Sequence, residues 1–156
     1  MLKGLMMDRP LLVSSLIEFG AEVHGGTPLL SAAVEGGVTR STIRATARRV
    51  ARLANALRQL GIGPGDRVAT LAWNTTRHVE LYFAISGIGA VCHTINPRLS
   101  VEQFNYIVNH AEDEWLFIDL TFVPLFEKLQ DKLPKVRGFV VMTDLAHMPA
   151  ATSLRN

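Results

Sequence analysis

The sequence predicts an α/β protein, with a mainly parallel sheet flanked by helices on both faces and a short β-hairpin near the N-terminus. Three observations support this fold class. From residue 41 onward, segments with apolar residues at helical spacing alternate with short apolar runs. The run at 66–74, DRVATLAWN, is almost continuously apolar, which is typical of a strand covered on both faces. The segments between the runs are long enough to hold the crossover helices that parallel strands require.

Each element has its own signal in the sequence. Residues 11–23 show the spacing of a short amphipathic helix, and two β-like runs flank Glu35-Gly36-Gly37 as a hairpin would. The clearest helix covers 41–61, where we expect Ser41 to cap the start and Gly61 to cap the end in the left-handed conformation. The remaining elements alternate: strand 66–74, helix 76–87, strand 90–95, helix 100–110, strand 115–119, helix 122–132 and strand 138–142.

The segment after Met142 lacks apolar periodicity, and we expect it to be irregular and frayed. The predicted domain therefore covers 1–148 and is followed by an irregular tail over 149–156. Glycine and polar residues interrupt the longest uncharged run, 81–97, so no transmembrane segment is predicted.

Composition narrows the functional classes. The chain is 48% hydrophobic and 19% charged, as globular proteins are, and its net charge of +2 is too small to argue for a nucleic-acid partner. Its one cysteine, Cys92, excludes an internal disulfide. Together with an N-terminus that lacks the pattern of a secretory signal, this leads us to expect a cytoplasmic protein.

A basic stretch coincides with the longest predicted helix. No acidic residue lies between Gly36 and Gly65, a segment that contains Arg40, Arg44, Arg48, Arg49, Arg52 and Arg58. A basic amphipathic helix can lie on an anionic membrane or meet a partner. The alternative is a solvated face on a helix that packs against the sheet. The alanine-rich apolar side, which has no Trp or Phe to enter lipid, favours that alternative.

The remaining motifs do not match the patterns of cofactor loops, metal sites or catalytic nucleophiles. The glycine clusters at 61–65 and 87–89 follow a helix and precede a strand, the reverse of a dinucleotide-binding loop, so we interpret them as caps and turns. The histidines are scattered, and His110 beside Glu112 and Asp113 fits a helix end better than a ligand set. We interpret Cys92 as a small core residue. The sequence assigns no nucleophile, no general base and no metal ligand.

The segment GAVCHTINPRLS, 89–100, places Arg98 between the end of a predicted strand and the start of a helix. Ligands in open parallel sheets bind at this edge, and an arginine beside a helix N-terminus can meet an anion. The alternative, which the residues taken by themselves favour, is an ordinary turn in which Pro97 stiffens the chain and Arg98 is solvated.

Three segments taken together resemble the adenylate-forming (AMP-binding) ligases, and within them the fatty-acyl-CoA synthetases. These are LANALRQLGIGPGDRVATLAWN, ISGIGAVCHTINPRLSVEQFNYIVNHAED and WLFID, in the order and at the separation that the family shows. The resemblance covers roughly residues 10 to 148. It implies that the chain folds as the first subdomain of the family's large N-terminal domain.

The resemblance also implies a reaction. A fatty acid attacks ATP to give an acyl-adenylate, and CoA then displaces AMP to give a thioester, so ATP, Mg2+ and CoA are the family's cofactors. Family members are several times longer, and this sequence does not contain their phosphate loop or catalytic lysine. We therefore expect a truncated, inactive domain to which none of these cofactors binds well. Near residue 42, Thr42 is kept but the acidic residue that follows in the family is replaced.

One functional residue is carried over by the resemblance. In some CoA ligases, the arginine of the Asn-Pro-Arg-Leu block approaches the CoA nucleotide phosphate, and this arginine corresponds to Arg98. An alternative function is a non-catalytic module that keeps the ligase fold and binds a second copy or another partner. Homo-oligomer formation is accordingly a further expectation.

Overall fold

The computed structural model describes Gly4 and residues 8–155, and it confirms the α/β class. The elements are α1 (Val13–Val23), β1 (Pro28–Ala32), β2 (Val38–Thr42), α2 (Ile43–Gln59), β3 (Arg67–Leu71), α3 (Thr76–Gly87), β4 (Val91–Thr94), α4 (Val101–Ala111), β5 (Trp115–Ile118), α5 (Val123–Leu129) and β6 (Gly138–Val141). Short 3-10 turns, Leu120–Phe122 and Gln130–Lys132, flank α5, so the predicted helix over 122–132 is an α-helix with tightened ends.

The main sheet has four parallel strands in the order β4-β3-β5-β6. β1 and β2 form the predicted antiparallel hairpin, which pairs Pro28 with Thr42 and Ala32 with Val38. β3 lies at the centre, and its Val68, Ala69 and Leu71 are buried, as the continuous apolar run predicted. The chain crosses from β4 over β3 to reach β5, so the direction of strand addition changes at β3.

Two hydrophobic cores cover the two faces of the sheet. On one face, α4 and α5 bury Phe104 and Phe126 against β3, β5 and β6. On the other face, α2 and α3 bury Leu57 and Leu81 against the opposite sides of the same strands. Alternate residues of β5 divide between the cores, because successive side chains of a strand point to opposite faces.

Two boundaries differ from the prediction. β3 ends at Leu71, and Trp73 lies in the loop that follows. The N-cap of α2 is Thr42, whose hydroxyl accepts a hydrogen bond from the Ala45 backbone N–H, whereas Ser41 belongs to β2. Gly61 follows α2 with a φ of 79°, which confirms the left-handed cap.

The C-terminal segment has no helix or strand after Val141 in the described residues, as predicted, but it is not frayed. Leu154 is buried within the α4–α5 core. The Arg155 carbonyl accepts a hydrogen bond from Phe139, and the Arg155 backbone N–H donates to the Gln130 side chain. The prediction missed this packing because a single apolar anchor leaves no periodic pattern. The division into 1–148 and 149–156 stays a prediction.

Candidate ligand-binding edge of the sheet

The carboxyl ends of the four parallel strands meet at one edge of the sheet. Four loops extend from it, at 72–75, 95–100, 119–122 and 142–144. In open parallel sheets, ligands bind at this edge where the crossover direction changes. Here that position lies between β3 and β5, because the helix that follows β3, α3, packs on one face of the sheet and the helix that follows β5, α5, packs on the other.

The position between β3 and β5 is filled by the protein's own side chains. The backbone N–H of Trp73 donates to Asp119 Oδ2 at 2.7 Å, and the Trp73 indole donates to Thr121 Oγ1 at 3.0 Å. The Trp73 ring also packs 5.4 Å from the ring of Phe122. Asp119 is fully buried, and burial raises the pKa of its carboxyl despite the hydrogen bond from Trp73. This crevice is therefore closed by internal contacts.

The hairpin turn reaches the same edge through Glu35. One Glu35 carboxylate oxygen accepts hydrogen bonds from the Arg77 guanidinium at 2.6 Å and from the Thr143 hydroxyl at 2.7 Å. Arg77 also donates to the Met142 carbonyl at 3.2 Å. Burial acts to raise the pKa of Glu35, but the hydrogen bonds from Thr143, its own backbone and Arg77 lower it overall. Glu35 thus ties the hairpin to α3 and to the loop after β6.

Two helix N-termini at this edge are capped internally. At α3, Thr75 accepts from the His78 backbone, and Ser31 of the hairpin accepts from the Thr76 N–H at 3.1 Å. At α4, Ser100 and Gln103 form a reciprocal capping box. These caps satisfy amide donors that an anion would otherwise contact.

Arg98 sits in a tight turn, as predicted. Asn96 shapes this turn, since its side-chain oxygen accepts from the Arg98 N–H at 3.0 Å and its carbonyl accepts from the Leu99 N–H at 3.3 Å. Ile95 before the turn is buried, and Leu99 packs against the α4–α5 core. Arg98 itself is exposed, and its guanidinium makes no hydrogen bond or ion pair with the residues described.

The sequence interpretation missed an acid–base pair between a half-buried histidine and a fully buried aspartate. His93 of β4 contacts Asp113 through Nδ1 and Oδ2 at 2.7 Å, and Asp113 is fully buried. The hydrogen bond with Asp113 raises the pKa of His93. The sequence places Asp113 close to His110, but Asp113 pairs instead with a residue twenty positions earlier, a contact that only the strand crossover creates.

Contacts within the protein occupy the apolar side of α2 and one of its arginines. Its Val50 and Leu57 are buried in the core with α3, so its apolar side is not available to lipid. Arg49 forms a bidentate pair with the buried Glu80 of α3, at 2.5 and 3.1 Å. The structure therefore favours a helix that packs against the sheet and turns a basic face to solvent over a helix that lies on a membrane. Arg49 differs from the other arginines of that face because it is paired with Glu80.

The remaining candidates are structural. His78 is buried, its Nε2 lies 3.0 Å from Thr70 Oγ1, and burial lowers its pKa. Cys92 is partly buried, and burial raises its pKa to about 11, which keeps the thiol protonated. Among residues 4 and 8–155, no group of three or more His, Cys, Asp or Glu side chains could hold a metal ion. No helix in this part of the chain is long and apolar enough to cross a membrane.

Comparison with known proteins gives the family. The sequence model of the AMP-binding enzyme family matches residues 20–155. Among curated relatives, the 3-methylmercaptopropionyl-CoA ligase of Ruegeria lacuscaerulensis is 51% identical over 139 residues. The medium-chain-fatty-acid–CoA ligase of Ectopseudomonas oleovorans is 48% identical over the same length. Each alignment covers 89% of this chain and 26% of the relative, so the chain spans about a quarter of the length of these proteins.

Solved structures agree on the fold. The N-terminal domain of FACL13 from Mycobacterium tuberculosis superposes with a TM-score of 0.78 at 21% identity, covering 91% of this chain and 38% of that one. The four-stranded parallel sheet, its two helical layers and the preceding hairpin thus match the N-terminal domain of an adenylate-forming ligase. Because the family model matches most of its sequence, this chain belongs to the AMP-binding enzyme family.

Proposed function

We propose that these residues form the N-terminal portion of an ATP-dependent fatty-acid:CoA ligase in the cytoplasm. The observation that supports this most directly is the family match over 20–155, together with relatives that are acyl-CoA ligases. The proposed reaction joins a fatty acid to ATP as an acyl-adenylate and then transfers the acyl group to CoA. The two relatives differ in the acid that their names state, so we propose only the class of carboxylic acid.

We further propose that the 156 residues do not catalyse either step by themselves. Adenylate formation needs cations and hydrogen-bond donors preorganised around a triphosphate. Within the described residues, the crevice between β3 and β5 is closed and the N-termini of α3 and α4 are capped by their own side chains. This edge therefore does not fit ATP and Mg2+.

Among the described residues, Arg98 has a side chain that fits a role in binding CoA. Arg98 is exposed, and a turn anchored on both sides by apolar residues holds its backbone. A guanidinium in this setting can form charge-assisted hydrogen bonds with a phosphate without first breaking an internal ion pair. We propose that Arg98 helps to hold the CoA nucleotide phosphate in the whole ligase, as a binding residue and not a catalytic one.

A chimera tests the positive part of the proposal. Residues 10–148 would replace the aligned segment of the Ectopseudomonas ligase, and medium-chain-acid-dependent pyrophosphate exchange and thioester formation would be measured. We expect both activities. A folded chimera without either activity would contradict the assignment, and fatty-acid-dependent exchange by the 156-residue chain alone would contradict its predicted inactivity.

The same chimera tests Arg98. We expect Arg98→Ala to raise the KM for CoA about tenfold, since a charge-assisted hydrogen bond contributes about 1.5 kcal/mol, with little change in pyrophosphate exchange. Arg52→Ala, on the exposed face of α2, is the matched control and should leave both unchanged. An unchanged KM for CoA in the Arg98→Ala chimera would remove Arg98 from the binding site.

A further inference from the structure

A groove with a volume of about 300 Å³ lies where α1, α2 and α3 meet. Its apolar walls include Ile17 of α1, Val50 and Ala54 of α2, and Phe83 of α3. Binding sites for small molecules have this composition, with mostly apolar walls and a few polar groups that fix the orientation of the ligand. The walls therefore fit an apolar chain, and the polar groups of the groove decide what that chain must carry.

The groove follows α2 from Ala47 to Arg58, a rise of about 16 Å along the helix axis. Both α2 and α3 end at the amino edge of the main sheet, because β3 and β4 begin shortly after them. The Arg58 end of the groove therefore lies at the edge opposite to the one that carries Arg98. A ligand in this groove would be separate from the edge at which we place CoA.

Hydrogen-bond donors stand at the Arg58 end. Arg58 is exposed and forms no ion pair with a described residue, and its guanidinium donates to Asn55 Oδ1 at 3.3 Å. That bond uses the side-chain oxygen of Asn55, so the remaining polar groups of the two side chains are N–H donors. Donors that include a guanidinium fit a carboxylate, which arginine binds through two parallel hydrogen bonds.

We propose that this groove binds the anion of a free fatty acid of medium length. The carboxylate pairs with Arg58, and the acyl chain lies along α2 towards Ala47, against Val50 and Phe83. The apolar walls match the chain, and the unpaired cation at one end matches the charge of the head group. This inference rests on the groove and its cation, and it does not depend on the proposed ligase activity.

Two features of the groove oppose an anion, and neither outweighs the arginine. Glu18 of α1 also lines the groove, but it forms no ion pair with Arg58. Ser14 lies against Gly87 at the end of α3, so Glu18, one turn further along α1, lies beside the path of the chain. The dipole of α2 disfavours an anion at its C-terminus, but this effect is weaker than a charge-assisted hydrogen bond.

An anionic membrane fits this groove less well than a single fatty acid does. Attraction to such a surface takes a cluster of basic residues. Among the described residues that line the groove, Arg58 is the one cation and Glu18 the one carboxylate, so their charges cancel. The exposed Arg48 and Arg52 of α2 lie outside the lining. A single carboxylate, in contrast, needs only one guanidinium.

Amide NMR spectra of the 156-residue chain, titrated with decanoate below its micelle concentration, test the site. We expect saturable shifts at Ala54 and Gly87 and none in the turn that carries Arg98. Arg58→Ala should raise the Kd for decanoate about tenfold, because a charge-assisted hydrogen bond is lost. Arg52→Ala removes an exposed arginine of the same helix outside the groove, and it should leave the Kd unchanged.

A second pair of variants tests the part of the groove that holds the chain. Ala54→Leu places a larger side chain in the groove and should raise the Kd about tenfold or more. Ala56→Leu makes the same change at an exposed position of α2 outside the groove, and it should not. Spectra without ligand show whether each variant is folded. Because Arg58 is exposed, Arg58→Ala is expected to keep the fold and decides the proposal even if Ala54→Leu does not fold.

Two further probes separate the head group from the chain. Decanol has the chain without the carboxylate, and acetate has the carboxylate without the chain, so each should bind about tenfold more weakly than decanoate or worse. Equal values of Kd for decanoate in the Arg58→Ala and Arg52→Ala chains would overturn the proposal, and so would equal values for decanol and decanoate. Decanoate shifts confined to residues 95–100 would also overturn it.

Vesicles distinguish a free fatty acid from a lipid surface. A chain that binds phosphatidylcholine–phosphatidylglycerol vesicles through Arg58, but shows no saturable shifts with monomeric decanoate, would contradict the proposed ligand. Saturable binding of monomeric decanoate that Arg58→Ala weakens would support it. None of these outcomes changes the ligase assignment, because the chimera tests that assignment by its activity.

Discussion

At the carboxyl edge of the sheet, the loops after β3, β5 and β6 differ from the loop after β4 in what their polar side chains contact. Asp119, after β5, is buried and accepts a hydrogen bond from the loop after β3. The buried side chain of Glu35, in the hairpin turn, accepts hydrogen bonds from α3 and from the loop after β6. Arg98, after β4, is exposed and makes no side-chain contact of that kind with the described residues. One part of the edge is therefore held together by its polar groups, and the other leaves its cation in solvent.

This difference suggests separate roles: the buried carboxylates stabilise the fold, and the exposed arginine is free to bind a ligand. A buried carboxylate with internal donors costs free energy when it is removed, because its donors are left without partners. An exposed arginine on a fixed turn can be removed without that cost, and it can accept a ligand without losing an internal partner.

Replacing Asp119 by alanine should destabilise the fold by about 3 kcal/mol, because the Trp73 N–H would lose its acceptor inside the protein and a cavity would remain. Urea unfolding followed by Trp fluorescence measures this. Asp131→Ala, at an exposed aspartate, is the control and should change the free energy of unfolding by less than about 0.5 kcal/mol. Equal effects of the two substitutions would show that the closed crevice does not stabilise the fold.

Replacing Glu35 by alanine should cost about 2 kcal/mol, because both Arg77 and Thr143 lose a charged acceptor. The lowered pKa of Glu35 adds a pH dependence. The stabilisation is present above the unfolded pKa near 4.5 and is lost as the pH falls through the lower folded pKa. Hydrogen exchange should show faster opening of β1 and β2 in the variant, whereas unchanged hairpin exchange would contradict the anchoring role.

Two histidines should give opposite pH dependences of the free energy of unfolding. The raised pKa of His93 means that its stabilisation is complete below pH 6.5 and is lost as the pH rises through the folded pKa. The lowered pKa of His78 means that its contribution is present above pH 6.5 and is lost as the pH falls through the folded pKa. Urea unfolding across pH 5–8 should show that His93→Gln removes the alkaline loss and His78→Gln the acid loss. The same slope change in both variants would contradict these assignments.

The sequence predicted the sheet and the Arg98 turn because both rest on local signals. Apolar runs, glycine caps and the Asn-Pro pair act over a few residues, so the order of elements follows from them. The pairs His93–Asp113, Trp73–Asp119 and Glu35–Arg77 join residues 20, 46 and 42 positions apart. No spacing rule reaches that far, because only the folded arrangement of strands, helices and hairpin brings these residues together. The tail was mispredicted for the same reason, since Leu154 finds its core only in the folded chain.

Among these substitutions, the smallest change in the free energy of unfolding is expected at Arg98. Arg98→Ala should leave the free energy of unfolding of the chain within about 0.5 kcal/mol of the original value, because the exposed guanidinium makes no hydrogen bond or ion pair with the described residues. Asn96→Ala is the matched variant. It should cost about 1 kcal/mol, because its side chain accepts the hydrogen bond that shapes the turn. If Arg98→Ala destabilised the chain as much as Asn96→Ala, Arg98 would belong to the structural part of the edge, and its proposed contact with CoA would lose its physical basis.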